Sequence, residues 1–101
     1  MHARIATFEG ADSDRLDESI KANRRQIEAG LESPPEGLEG VKEVWMLVDR
    51  ATGRTLDITL FETEEELRQG HEALNALSPA DAEGRRTSVG LYEVAFRKDR
   101  S

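Results

Sequence analysis

Along residues 2–9, HARIATFE, β-branched and apolar side chains mix with polar ones, and the run stops at Gly10. Such a stretch predicts a first strand. In the ADSD that follows, Asp12 or Ser13 can accept from the free amides of a helix start. From about Asp14 to about Leu31 the period changes. Leu16, Ile20, Asn23, Ile27 and Leu31 fall at offsets 0, 4, 7, 11 and 15, one face of a helix, with Asn23 the single polar member. Asp17 and Lys21 form an i,i+4 pair in the favourable order. Pro34 disfavours helical backbone at Ser33, so the helix is expected to stop there, and ESPPEGLEG (32–40) reads as a loop.

Residues 41–49, VKEVWMLVD, hold the continuous apolar run Val44–Val48, the mark of a strand buried on both faces. DRATGR is a turn in which Gly53 can take a positive φ. TLDITLF (55–61) alternates strictly: Leu56, Ile58 and Leu60 on one side, Thr55, Asp57, Thr59 and Phe61 on the other. So short a connection pairs the two strands antiparallel. Thr63-Glu64-Glu65-Glu66 then matches a capping box, and Glu64 and Arg68 add an i,i+4 pair. Leu67, His71, Leu74 and Leu77 or Ser78 make the inner stripe of this second helix. SPADAEG carries a start signal for a short extra turn, and TSVGLYEVAFRK (87–98) is expected to be the last strand.

The order β-α-β-β-α-β predicts one α+β domain over residues 1–101 of ferredoxin-like type, a four-stranded antiparallel sheet with two helices on one face. Two helices cover only one side. The strands are apolar on both: Val44 to Val48 alternate across the second strand, and Val89, Leu91 and Ala95 oppose Tyr92, Val94 and Phe96 in the last. A bare apolar sheet face usually marks an interface, and a twofold homodimer with sheets face to face covers it economically.

Composition narrows the function. Lys and Arg total 14 against 21 Asp and Glu, a net charge of -7, which disfavours nucleic acid as a partner. There are no cysteines, so neither disulfides nor thiolate metal sites form, which fits a reducing compartment. The N-terminal MHARIATFEG has no signal-peptide core and no apolar stretch reaches bilayer-spanning length, so the expected setting is cytoplasmic, away from membranes.

The candidate chemistry is sparse. His71 interrupts an apolar stripe and can serve as a general base or position a ligand; the commoner case for such a residue is a helix-surface or boundary histidine with no chemical role. HEALN resembles the zinc helix H-E-x-x-H, but Asn75 stands where the second histidine belongs and only His2 remains elsewhere, so no metal site is expected. Asn23 needs polar partners if it faces the sheet, and Thr7 and His71 are the candidates to line a polar pocket with it. Asp57 is either a buried carboxyl with a raised pKa or half of a cross-strand ion pair. Trp45 is a core, interface or ligand-contacting aromatic. DSDRLD (12–17) lacks the glycine and ligand spacing of a calcium loop, and no phosphate-binding glycine motif is present.

The element order, the length and the segment LVDRATGRTLDITLFETEEELR, together with the opening MHARIATFEG and the closing LYEVA, resemble the antibiotic biosynthesis monooxygenase-like proteins of the dimeric α+β barrel superfamily. The resemblance spans nearly the whole chain. It implies a ligand pocket between helices and sheet, a homodimer, and an activity within a group that includes cofactor-free monooxygenases of aromatic polyketides, haem-degrading enzymes and many uncharacterised members. The haem degraders pair a first-strand Asn with a Trp and a His of the second helical region. Here Thr7 stands at the comparable first-strand position, Phe61 is the aromatic at the leading edge of the helix, and no Trp lies within it. The resemblance implies a monooxygenase-like member of uncharacterised function; if it is catalytic, the expected reaction is a cofactor-independent oxidation of a small aromatic or apolar molecule, with His71 as base, Asn23 steadying the anion, and Thr7, Trp45 and Phe61 against the ligand. The alternative is a non-catalytic binder or structural homodimer.

Overall fold

The computed structural model describes residues 1–77 and 85–100. Its elements are β1 (His2–Glu9), a 3-10 turn (Ser13–Arg15), α1 (Leu16–Glu32), β2 (Val41–Asp49), β3 (Arg54–Phe61), α2 (Glu64–Ala76) and β4 (Arg85–Glu93). They form a ferredoxin-like α+β fold, a single antiparallel sheet in the order β2-β3-β1-β4. The extra turn expected in SPADAEG lies outside the described residues.

Local chemistry sets the ends of these elements. Asp12 Oδ1 accepts from the amide of Asp14 at 2.9 Å and starts the 3-10 turn that leads into α1. The helix closes at Glu32, before Pro34. Asp17 does not pair with Lys21; its carboxylate meets Arg50 at 3.0 Å. In the β2–β3 turn Asp49 Oδ1 accepts from the amide of Ala51 at 3.0 Å, and Gly53 sits at φ +77 with its missing side chain facing the Ala11 carbonyl. The capping box forms in full: Thr63 accepts from the Glu66 amide, and Glu66 accepts from the Thr63 amide, both at 3.1 Å. Glu64 and Arg68 pair at 2.8 Å.

β4 begins two residues earlier and ends five residues sooner than its composition suggests. The cause is its partner. β1 starts at His2, which faces Glu93, so later residues have no strand to pair with. The Val94 amide makes one more bond, to the Met1 carbonyl at 2.9 Å. Arg97 then reaches Glu43 at 3.4 Å, on the opposite edge strand, so the tail runs back across the end of the sheet.

Register decides which side chains the helices cover. Thr59 lies opposite Arg4 and Val44, and Asp57 opposite Ala6 and Met46. Arg4 bonds to α2, Met46 meets Asn23 of α1, and Phe61 packs against Gly70 of α2. The covered side of β3 is therefore Thr55, Asp57, Thr59 and Phe61, and the side left bare of helices is Leu56, Ile58 and Leu60, where neighbouring strand residues still bury Leu60, Ala3 and Thr7. In phase with the bare side lie Ala3, Ile5 and Thr7 of β1, Glu43, Trp45 and Leu47 of β2, and Gly90 and Tyr92 of β4. Trp45, Leu47 and Tyr92 are 48, 42 and 55% exposed.

The closed core is small. Leu16 and Phe61 are its largest fully buried side chains and Leu67 is also buried, while Arg4, Thr7, Thr55 and Thr59 are buried polar residues. Phe61 fits only because position 70 is glycine: a β-carbon there would overlap the end of its ring. Alanine gains helix propensity over glycine, but overpacking a buried ring costs more, so Gly70→Ala should destabilise the fold by about 1–3 kcal/mol. Denaturant unfolding should show this loss, and the double variant with Phe61→Leu should recover most of it; an unchanged midpoint in the single variant would contradict the packing described.

Candidate functional site

Helix-covered strand residues, α1, α2 and the 33–40 loop enclose a cavity of about 260 Å³. Its floor is Arg4 of β1, Asp57 and Thr59 of β3, and Val44 of β2. One wall is Asn23, Ile27 and Gly30 of α1, the other Leu74 of α2, and Pro35 and Leu38 of the loop close a third side. Leu31 and Leu77 also line it and are 47 and 52% exposed, which places them at its mouth. Apolar walls with a few convergent polar groups are the usual make-up of a small-molecule site. The volume suits one or two rings, since a cavity of ~150 Å³ already holds benzene.

The loop that closes the third side is held against α2. Gly37, at φ +92, approaches Ala73 and the Gln69 carbonyl so closely that a β-carbon would lie 2.9 Å from the Ala73 side chain. Its amide donates to Glu39 at 3.0 Å.

The floor is ionic. Arg4 is 5% exposed. Its Nε–H donates to His71 Nδ1 at 3.2 Å and its Nη2 donates to Asn75 Oδ1 at 3.3 Å. Arg86 donates to the same amide oxygen at 2.9 Å. A guanidinium has no lone pair to offer, so His71 Nδ1 is the acceptor and the proton of the neutral ring sits on Nε2. Asn75 Nδ2 lies 3.2 Å from that nitrogen, a donor facing a donor in this tautomer. Burial, and then the charge of Arg86, hold the Arg4 guanidinium below its ordinary pKa, with Asp57 pulling the other way.

Asp57 Oδ1 is buried without a hydrogen-bond partner among the described residues. Burial pushes its carboxyl above the usual range, and the charge of Arg4 offsets only part of the shift. The cross-strand ion pair is thus incomplete: Arg4 and Asp57 feel each other's charge but make no direct contact. They are diagonal neighbours in the register, with Thr59 opposite Arg4.

Of the residues singled out from the sequence, Asn23 lines the cavity, its Nδ2 3.8 Å from Met46 Sδ. His71 borders the site behind Arg4, with its one lone pair already engaged. The other three are not brought to the cavity. Phe61 is fully buried against Gly70 in the core. Thr7 lies opposite Leu56 and Ser88, and Trp45 opposite Ile58, so both project from the bare side of the sheet, one residue out of phase with the cavity floor. The Trp45 indole N–H donates to Glu43 at 2.9 Å. Arg4 and Thr59 escaped the sequence reading. Their signal was the alternation itself, which puts Arg4 in phase with Ala6 and Phe8, and Thr59 in phase with Asp57 and Phe61.

No family model matches the chain, and no curated protein matches it in sequence. Solved structures do match in shape. A point mutant of MhuD, crystallised with two manganese protoporphyrin IX bound per active site, superposes with a TM-score of 0.66 at 18% identity, covering 99% of this chain and 100% of that one. A presumed antibiotic biosynthesis monooxygenase from Nitrosomonas europaea gives 0.61 at 14% identity over 95% and 100%. Another antibiotic biosynthesis monooxygenase gives 0.57 at 16% over 94% and 99%. The chain has the fold of antibiotic biosynthesis monooxygenase-like proteins; at these identities the likeness speaks to fold and not to activity.

Since Asp57 holds its proton more tightly folded than unfolded, it favours the fold below the unfolded carboxyl pKa of about 3.9 and loses that contribution as pH rises through its raised folded value. The neutral isostere Asp57→Asn should therefore be more stable than the parent near pH 7, by roughly 1 kcal/mol, with the gain shrinking toward pH 4. Denaturant melts at both pH values check this; a less stable variant near pH 7 would show that Asp57 is satisfied in the fold.

Proposed function

We propose that this chain is a homodimeric, monooxygenase-like protein that takes a small aromatic or otherwise mainly apolar ligand into the cavity between helices and sheet and oxidises it with dioxygen, without a bound cofactor. The observation that carries the reading is the cavity itself, apolar along its walls and ionic on its floor. Fold likeness to antibiotic biosynthesis monooxygenases supports the same reading.

The geometry favours Asp57 over His71 as the base. A carboxyl at the cavity floor whose pKa burial raises, with Oδ1 unpartnered among the described residues, is suited to take a proton. Arg4 and Asn23 stand where an anion would need stabilising. For a ring methylene activated by a neighbouring carbonyl, the C–H bond breaks and Asp57 takes the proton. The electron pair passes to dioxygen as a C–O bond forms. The peroxide anion takes the proton back from Asp57, and the hydroperoxide so formed loses water, with its remaining ring C–H proton, to leave a carbonyl. One oxygen atom ends in the product and one in water, and the ligand carbon supplies the electrons, so no further reductant is needed.

A porphyrin of the kind bound by MhuD does not fit these residues. The cavity of about 260 Å³ is too small for a macrocycle, Thr7 projects from the other side of the sheet, and the His71 Nδ1 lone pair faces Arg4.

The dimer reading rests on the bare side of the sheet, where Leu56, Ile58, Trp45, Leu47 and Tyr92 lie in phase. A second copy laid against it would bury this surface, and the exposed Phe96 of the tail would add to it.

Two measurements test the proposal. Sedimentation equilibrium at micromolar concentration should give twice 11.3 kDa, falling to one chain in Ile58→Lys; a parent mass of one chain removes the dimer. Oxygen uptake with small ring ketones such as 2-tetralone should depend on the protein and fall by about a hundredfold or more in Asp57→Asn. A ketone that binds the parent without oxygen uptake would make this a non-catalytic binder.

A further inference from the structure

The cavity floor holds two opposite charges that do not satisfy each other. Arg4 commits its Nε–H and one Nη2–H to α2, and among the described residues its remaining N–H groups have no acceptor. Among the described residues Asp57 Oδ1 has no donor either. Leaving a buried charged group unpaired is unfavourable, and a site built to bond a ligand's polar atoms carries that cost until the ligand arrives. Arg4 is not free to swing to Asp57, because His71 and Asn75 hold its guanidinium from α2 and Arg86 shares the same amide oxygen. The two groups are a cross-strand diagonal apart, about 7–8 Å between α-carbons. Both line the cavity, so a small ring seated there can meet the two at once.

The geometry points to a ligand that spans the floor: a small ring bearing a carboxylate or carbonyl oxygen bound by Arg4 and, on another ring atom, a hydroxyl that donates to Asp57. The apolar edge of the ring lies against Ile27, Leu38, Val44 and Leu74. This assignment rests on the pocket reading above and narrows it from any apolar molecule to hydroxylated aromatic acids and their carbonyl equivalents. His71 and Asn75 are then positioning residues that aim the guanidinium and do not touch the ligand.

The test is calorimetric titration of the full chain with benzoate, phenol, 3-hydroxybenzoate and 4-hydroxybenzoate, and with 1-naphthol as an apolar probe. The better hydroxybenzoate should bind at least about tenfold more tightly than either benzoate or phenol, the worth of one added hydrogen bond to a charged group. In Asp57→Leu its affinity should fall to that of benzoate. In Arg4→Met both acids should be lost while phenol is kept, with circular dichroism confirming that each variant is folded. Equal affinities for benzoate and the hydroxybenzoates in the parent would overturn the bridge, and this outcome does not depend on any variant folding. Binding of 1-naphthol without such discrimination sinks this inference and leaves the pocket standing. Failure of every probe to bind sinks both.

Discussion

The phase of β3 is the constraint from which the rest follows. Its side chains alternate cleanly, and the register with β1 and β2 sends Thr55, Asp57 and Thr59 under the helices and Leu56, Ile58 and Leu60 to the bare side. A shift of one residue would exchange the two sets and bury the aliphatic triplet in an ordinary core. The pairing found does the opposite. It leaves a polar floor beneath two amphipathic helices, so the interior does not close and a cavity remains. It also leaves an apolar face without cover of its own.

The polar floor brings its own supports. A buried arginine is tolerable only if its N–H groups find acceptors, and α2 supplies two, His71 Nδ1 and Asn75 Oδ1. The same bonds engage the His71 Nδ1 lone pair and make the ring a clamp on Arg4. Asp57 receives no such support, and its Oδ1 is the one buried side-chain polar atom among the described residues left without a partner. The unevenness between the two charges is what gives the cavity a direction.

Much of the fold was legible because local rules agree with it. The capping box at Thr63, the stop before Pro34 and the strict alternation of residues 55–61 each specify an element without help from the rest of the chain. The end of β4 was not legible, because it depends on where β1 begins. The candidate site was only partly legible. Asn23 stands out on a helical stripe and does reach the cavity. Thr7 and Trp45 are chemically plausible but one residue out of phase, which only strand register reveals. Arg4 gave no motif; its meaning comes from Asp57, Thr59, His71 and Asn75, brought together from distant stretches of chain. The fold likeness to monooxygenases cannot supply these assignments, since residue roles do not follow from shape at such low identity.

The claim that the helices cover the polar side and that the apolar side meets a second copy is tested most directly by Trp45, the one tryptophan, which lies on that apolar side. Its fluorescence quenching by acrylamide at micromolar protein should be well below that of the Ile58→Lys variant, because a second sheet shields the indole. Quenching of the parent equal to that of the variant, and close to that of free tryptophan, would show the face wetted and contradict the account.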